Sequence, residues 1–165
     1  MARKPMPIDQ ILSLLTGTPG RIAGLTEELE PVLLRRVPTH DEWSATDVLA
    51  HLRSCADVWG GCIETILAED HPTIRAVDPR TWMRETDYPE QEFRASFEAF
   101  TAQRDGLLEI LGPLTPEQWE RSATVTGAGR PLERTVHFYA AWLARHERSH
   151  YRQIAGITGA VRGQT

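Results

Sequence analysis

The sequence predicts an all-α fold, and more specifically a four-helix bundle. Apolar residues recur at helical spacing along four long stretches, and no stretch sustains the apolar–polar alternation of a strand. Each stretch has one apolar face, and the four faces can be buried together only if the helices pack as a bundle. A chain of 165 residues suits one domain, over residues 1–165, with a hydrophobic core of its own.

The first helical stretch is predicted in two pieces. The apolar spacing that starts at Ile8 stops at Gly17. Thr18 and Pro19 then resemble an N-cap followed by proline at the first helical position. We expect the second piece to end or kink at Pro31, because proline lacks the N–H that a helix interior requires.

A capping box predicts the start of the second long helix. Ser44 is followed three residues later by Asp47, ahead of an apolar stripe that runs to Ile66. The pair His71-Pro72 is expected to close this helix. Residues 70–87 then form a long polar connection with no predicted structure, and such a segment could serve as the lid of a pocket.

Two further helices complete the bundle. The third is expected from near Pro89 to Gly112, with Arg104 inside its aromatic stripe. Residues 115–118 predict a capped short turn. A glycine-rich loop at residues 126–130 follows, and Pro131 is expected to open the last helix, which ends near Gly156.

Composition excludes several classes of function. With 23 acidic and 18 basic residues the net charge is −5, whereas a nucleic-acid partner requires a basic surface. The longest apolar run, residues 138–144, is too short to span a membrane. Cys55 and Cys62 lie about 10 Å apart along one predicted helix, too far for a disulfide. We therefore expect reduced thiols, a cytoplasmic location and a small-molecule substrate.

Three of the six histidines are candidate metal ligands. His146 and His150 are four residues apart, so they project from the same side of the last helix, inside its apolar stripe. His51 borders the stripe of the second helix. Three imidazoles with positions left open are typical of a catalytic metal site, whereas Cys55, one turn from His51, could complete a closed structural site. Core histidines that hold no metal are a third interpretation.

The other three histidines are expected to have no metal-binding or catalytic role. His40 lies in a predicted loop, His71 precedes a proline, and His137 lies off the apolar stripe of its helix. For each of them we expect a solvent-facing or capping role.

Residues 146–150 also match the His-Glu-x-x-His pattern of zinc metalloproteases. The context disfavours a protease, because no His, Asp, Glu or Cys follows His150 and no strand is predicted to hold a peptide. Glu147 nevertheless remains a candidate catalytic base. The alternative is a solvated charge on the helix surface.

Arg104 is the second candidate for a catalytic or cofactor-binding role. A guanidinium within an aromatic stripe is costly to bury alone, so it should meet an acidic side chain, an anionic substrate or the carboxylates of a cofactor. A structural ion pair, or a side chain that reaches the surface, is the competing interpretation. Trp59, Tyr139 and Trp142 are expected to line a pocket or to fill the core.

Two segments carry a resemblance to a known family. Residues 43–52 (WSATDVLAHL) resemble the second-helix signature of the DinB/YfiT-like superfamily, and residues 146–154 (HERSHYRQI) are similar to its last-helix signature. The resemblance implies a four-helix bundle, commonly a homodimer, in which His51, His146 and His150 hold a divalent metal. Zinc or nickel is expected first, with manganese or iron as alternatives.

The resemblance implies an activity less sharply than it implies a site. Relatives include transferases that use a low-molecular-weight thiol such as bacillithiol or mycothiol, a mycothiol-dependent maleylpyruvate isomerase, and metal-dependent hydrolases. We therefore expect a metal-dependent enzyme, a thiol transferase or a hydrolase, whose metal activates a thiol or water as nucleophile. The alternative is a non-catalytic bundle that binds a metal or ligand in a stress or sensor role.

Overall fold

The computed structural model describes residues 3–163, which form a helical bundle with a small sheet. The helices are α1 (Ile8–Thr26), α2 (Pro31–Leu34), α3 (Ala45–Ala68), α4 (Pro79–Glu85), α5 (Phe93–Leu111), α6 (Pro116–Trp119) and α7 (Val136–Arg162). The strands are β1 (Thr73–Arg75), β2 (Ser122–Thr126) and β3 (Leu132–Thr135). The four long helices α1, α3, α5 and α7 pack in a cycle, since α1 and α3 each contact both α5 and α7. The predicted bundle is thereby confirmed.

The sheet corrects the prediction of a strictly all-α fold. Strand β2 lies in the centre, parallel to β1 and antiparallel to β3. The glycine-rich loop is the turn between β2 and β3, where Gly127 and Gly129 have φ angles of 88° and 85°. Non-glycine residues rarely adopt such angles. Pro131 therefore does not open the last helix, and Leu132 belongs to β3.

Helix α7 begins later and ends later than predicted. Its N-cap is Thr135, whose hydroxyl accepts the N–H of Phe138 at 2.9 Å. The helix continues past Gly156 to Arg162, with Ile157 and Val161 buried in its last turns. Burial of these apolar side chains explains why a single glycine does not end the helix.

Helix α1 is one continuous helix, so the predicted break between Gly17 and Pro19 is wrong. The Thr18 hydroxyl does not cap a new helix but donates to the Leu14 carbonyl at 3.0 Å. Because Pro19 has no N–H, the Leu15 carbonyl lacks its helical donor. Arg104 of α5 supplies a replacement, since its Nη1 donates to the Leu15 oxygen at 3.3 Å.

The predicted capping box of α3 is confirmed. The Ser44 hydroxyl accepts the Asp47 N–H at 3.1 Å, and Asp47 Oδ2 accepts the Ser44 N–H at 2.9 Å. Residues 115–118 cap α6 in the same way. Helix α5 begins at Phe93 rather than near Pro89, because residues 88–90 form a separate turn of 3₁₀ helix.

The connection at residues 70–87 is structured, contrary to the prediction, and contains β1 and α4. Asp57 of α3 holds it in place by accepting the indole N–H of Trp82 at 3.0 Å, and it also accepts the hydroxyl of Tyr88, in the turn that follows, at 2.6 Å. The Arg53 guanidinium also lies 3.7 Å from the centre of the Tyr88 ring. This segment therefore lies against α3, close to the histidines described next.

Apolar side chains from all four long helices fill the centre of the bundle. Cys55 and Cys62 are both free thiols, as predicted. Over residues 3–163, no helix combines the length with the apolar character that a membrane-spanning segment needs.

Candidate metal centre

Three histidines from two helices converge on one point. The Nε2 atom of His146 lies 3.0 Å from Nε2 of His51 and 3.0 Å from Nε2 of His150. The structure thus brings together all three histidines singled out from the sequence. His51 is buried, whereas the other two are half-buried, so the cluster lies at the edge of the core.

Helix geometry and tryptophans fix the positions of the three rings. His146 and His150 are one turn apart on α7, and His51 faces them from the second turn of α3. Trp43 contacts the rings of His51 and His150, at centroid distances of 5.2 and 6.4 Å. Trp59 and Trp142 lie 5.0 and 6.5 Å from the ring of His146. These tryptophans pack against the histidine rings, and Trp142 is itself 43% exposed to solvent.

The environment keeps the histidines uncharged at neutral pH. Burial, followed by the neighbouring histidines and Arg80, lowers the pKa of His51 to about 3. Burial, followed by His150 and Arg80, lowers the pKa of His146 to about 4. Burial also lowers the pKa of His150, although its hydrogen bond to Gln153 acts in the opposite direction. Neutral imidazole is the form that binds a metal.

A hydrogen-bond chain sets the tautomer of His150. Asp41 is ionised: burial acts to raise its pKa, but the N–H of Trp43 and the Gln153 amide hold it below its usual range. A carboxylate only accepts, so the Gln153 Nε2 group must face it, at 3.1 Å from both oxygens. Gln153 Oε1 then accepts the Nδ1–H of His150 at 2.7 Å. The lone pair of His150 Nε2 therefore points into the cluster.

The donor set and its spacing fit one divalent cation. Zn–N bonds of about 2.0–2.1 Å at tetrahedral angles place two nitrogens about 3.4 Å apart, close to the 3.0 Å observed. A single shared proton cannot satisfy both contacts of His146 Nε2, whereas one cation can bind this nitrogen together with a neighbouring ligand. The two distances thus fit a metal held in part by imidazoles.

Cys55 borders the same point. Its sulfur lies 3.5 Å from Nε2 of His51, and the ligand atoms of His51, Cys55 and His146 all lie within 4.8 Å of one another. A zinc-bound sulfur and nitrogen are about 3.6 Å apart, so this spacing also fits. However, burial and then the charge of Glu147 raise the pKa of the Cys55 thiol well above its usual range.

Two shallow cavities give access to the histidines. One, of about 300 Å³, is lined by Trp43, Arg80, His150 and Gln153. The other, of about 200 Å³, is lined by Trp142, Arg145, His146 and Ser149. Arg80 belongs to α4, in the connection predicted to act as a lid, and its guanidinium lies 5.5 Å from the Trp43 ring. A small molecule can therefore approach the cluster from the surface.

Arg104 and Glu147 pair with each other rather than with the histidines. Both side chains are 1% exposed, and the guanidinium donates to both carboxylate oxygens, at 2.6 Å for the Nη1–Oε2 contact. Of the interpretations left open for Arg104, the structural ion pair with an acidic side chain is the one observed. The interpretation of Glu147 as a solvated surface charge is wrong. Both carboxylate oxygens are occupied, so a proton-transfer role for Glu147 would require the pair to separate.

For the remaining predicted residues, the structure agrees with some expectations and differs from others. His40 and His71 are exposed, as expected, and His71 contacts Thr124 and Glu133 of the sheet. His137 is half-buried, and its Nε2 donates to the Met6 carbonyl at 2.8 Å, which links the start of α7 to the segment before α1. Trp59 and Trp142 line the cluster, whereas Tyr139 hydrogen-bonds Cys62.

Sequence reasoning missed Trp43, Gln153, Asp41 and Arg80 as parts of the site. A signal existed for Gln153, which follows His150 by three residues and therefore lies on the same helix face. No local pattern marks Asp41 or Arg80, because they reach the cluster only through the packing of a loop and of α4.

Comparison with known proteins identifies a family and two similar proteins. The profile of the DinB superfamily matches residues 14–154. A protein of Halalkalibacterium halodurans named "Putative metal-dependent hydrolase" is 23% identical over 140 residues, which are 84% of this chain and 81% of that relative. The fold is similar to that of YfiT from Bacillus subtilis, with a TM-score of 0.79, 18% identity, and coverage of 95% of this chain and 90% of that one. YfiT is described as "a probable metal-dependent hydrolase with an unusual four-helix bundle topology".

Proposed function

The chain belongs to the DinB superfamily, and on that premise we propose that it is a metal-dependent hydrolase of a small molecule, with one divalent cation held by His51, His146 and His150. Support for the hydrolase class comes from the names of the two similar proteins. Homodimerisation stays a prediction from the resemblance, and a cytoplasmic location stays a prediction from the two free cysteines.

One observation carries the proposal, namely the fixed tautomer of His150. Asp41, through Gln153, holds the proton on Nδ1 and leaves Nε2 free, 3.0 Å from His146 Nε2. A histidine that only fills space in a core needs no carboxylate to orient it through two hydrogen bonds. Such an outer shell is typical of metal-ligating histidines, where it raises ligand basicity.

The surrounding residues suit hydrolysis. The cation, when bound, supplies activation of water or a thiol as a nucleophile near neutral pH, because it stabilises the anionic form. The three tryptophans place apolar rings beside the histidines, which strengthens electrostatic interactions there. Arg80 adds a positive charge beside the cavity at His150, where it can bind an anionic group of a substrate or stabilise negative charge that develops on it.

A closed site is the second candidate, because the Cys55 sulfur lies 3.5 Å from His51 Nε2. With Cys55 as fourth ligand, no position would remain for a substrate, and the bundle would be a structural or sensing metal protein. Burial raises the pKa of this thiol in the metal-free protein, whereas a bound cation would deprotonate it, so the spectrum of the cobalt-loaded protein decides between the two sites.

Cobalt substitution separates these two candidates. A cobalt–thiolate bond gives a strong charge-transfer absorption in the near ultraviolet, and cobalt bound by nitrogen and oxygen does not. The open site predicts no such band in the wild-type protein and the same visible spectrum for Cys55→Ser. A thiolate band that disappears in Cys55→Ser would establish the closed site instead.

Turnover is tested with a panel of small esters, amides and other electrophiles, each with and without bacillithiol or mycothiol. We expect hydrolysis without added thiol in the metal-loaded protein, loss of at least about 100-fold in His146→Ala, and no change in the matched control His71→Ala. Turnover that requires a thiol would instead identify a transferase. Equal rates in wild type and His146→Ala would contradict catalysis at this site.

A further inference from the structure

A strongly basic cavity lies where the N-terminal segment meets α7. It has a volume of about 680 Å³ and is lined by five cationic side chains, Arg3, Lys4, Arg145, Arg148 and Arg152, together with neutral residues. No acidic residue lines it, although the chain has a net charge of −5. Over residues 3–163, none of the five cations forms an ion pair.

Clustering of these charges costs stability in the free protein. Arg148 lies three residues after Arg145 and four before Arg152, so the three guanidiniums share one face of α7. Like charges at these spacings repel one another, and no carboxylate relieves them here. A bound anion would remove the repulsion, which makes the cavity a candidate anion site.

The basic cavity adjoins the metal centre. Arg145 and Ser149 line both this cavity and the smaller one that reaches His146. Each is next in sequence to a histidine of the cluster, and Ser149 lies between the cationic face and the histidine face of α7, whose centres are roughly 145° apart around the helix axis. A molecule held by the arginines can therefore extend past Ser149 to His146.

We infer that the substrate is a small polyanion, with at least two carboxylate or phosphate groups held by the basic cavity and its reacting group directed to His146. Arginine forks bind both kinds of anion in a bidentate manner. Arg145 and Arg152 are about 10 Å apart along the helix axis, so one compact ligand can engage both. The volume of about 680 Å³ suits a small molecule. Identification of the anion as substrate rests on the proposed hydrolase function.

Calorimetry on the purified full-length protein, at low salt, tests the cavity itself. The probes are pyrophosphate, propane-1,2,3-tricarboxylate and a short DNA duplex. We expect one of the two small anions to bind, and the better one identifies phosphate or carboxylate as the recognised group. Binding should weaken about tenfold or more in Arg148→Gln/Arg152→Gln, since hydrogen bonds to charged groups are lost. The control Arg84→Gln/Arg130→Gln, which removes two exposed charges elsewhere, should bind like wild type.

Three results would overturn the inference. They are no binding of either small anion, equal weakening in the control variant, or binding of the duplex in preference to both small anions. Metal content is measured on the same sample. Anion binding without metal would support the cavity while contradicting the proposed function, and metal without anion binding would do the reverse.

The link to the metal centre is tested with the cobalt-loaded protein. Addition of the better anion should shift the visible cobalt spectrum, and Arg148→Gln/Arg152→Gln should require about tenfold more anion for the same shift. Calorimetric binding that leaves the cobalt spectrum unchanged would show that the anion does not reach His146, and would overturn the assignment of the cavity to the substrate.

Discussion

The buried pair of Arg104 and Glu147 yields a prediction that separates a structural role from a catalytic one. Both side chains are 1% exposed and bond to each other through two contacts. In Glu147→Gln the guanidinium loses its counter-charge but stays buried. Removal of one partner of such a pair costs about 3–5 kcal/mol, out of a total stability of about 5–15 kcal/mol. We therefore expect a marked loss of stability in this variant.

The double variant Arg104→Met/Glu147→Leu should be less destabilised than Arg104→Met alone or Glu147→Leu alone, each of which leaves one buried charge unpaired. It removes both charges, so neither is left unpaired. What remains is the Leu15 carbonyl, which has no helical donor because of Pro19 and which loses the Arg104 contact. An unsatisfied buried carbonyl costs about 1–3 kcal/mol. The coupling energy of the double-mutant cycle should therefore be at least about 3 kcal/mol.

Urea unfolding, followed by circular dichroism, measures these energies in the metal-loaded protein. The matched control is Glu98→Gln on the exposed face of α5, which should stay within about 0.5 kcal/mol of wild type. If Glu147→Gln were as stable as this control but had lost turnover, the structural assignment would be refuted. The His-Glu-x-x-His interpretation, with Glu147 as base, would then be the better one.

Three further predictions follow from the same contacts. Gln153→Leu should weaken metal binding about 10–100-fold, because the tautomer of His150 is then no longer fixed. The control Gln118→Leu, in the cap of α6, should bind metal like wild type. Competition with a chromogenic chelator measures both affinities, and equal affinities of the two variants would contradict the role of Gln153. Because the pKa of His51 and of His146 in the folded protein lies far below the unfolded value of about 6.5, the unfolded chain binds more protons below that pH. The free energy of unfolding of the metal-free protein should therefore be highest above pH 6.5 and should fall towards pH 4, by up to about 1.4 kcal/mol per pH unit for each histidine. Urea unfolding at pH values from 7 to 5 measures it, and an unchanged free energy over this range would argue against neutral histidines. Gly127→Ala should lower the melting temperature, because Gly127 has a φ of 88° and a Cβ there would lie 3.2 Å from the Arg75 side chain. The control Gly20→Ala on α1, where a Cβ meets nothing within 4 Å, should not lower it. Equal melting temperatures of the two variants would contradict this turn geometry.

The features that sequence reasoning predicted correctly depend on local signals. The start of α3 follows from the Ser44–Asp47 capping box, which involves residues three apart. The pairing of His146 with His150 follows from the helical repeat alone. His51 was predicted to join them because its helix must turn an apolar face inward, and the structure places it 3.0 Å from His146.

The features that were missed depend on contacts between distant residues. The continuity of α1 through Pro19 is supported by Arg104, 89 residues beyond the Leu15 carbonyl it serves. Strand β1 has three residues and pairs with β2 across about 50 positions, so no alternation could reveal it. Glu147 looked like a surface charge because its partner lies 43 residues away on α5. The sequence contains each charged residue but does not show which charges pair.

Metal analysis of the full-length protein, purified without a histidine tag and repleted with zinc, tests the central claim most directly. The account predicts about one metal ion per chain in wild type and in the control His71→Ala, and a large loss in His150→Ala. Less than about 0.1 metal ion per chain in wild type, or the same content in His150→Ala as in wild type, would contradict a metal centre at His51, His146 and His150.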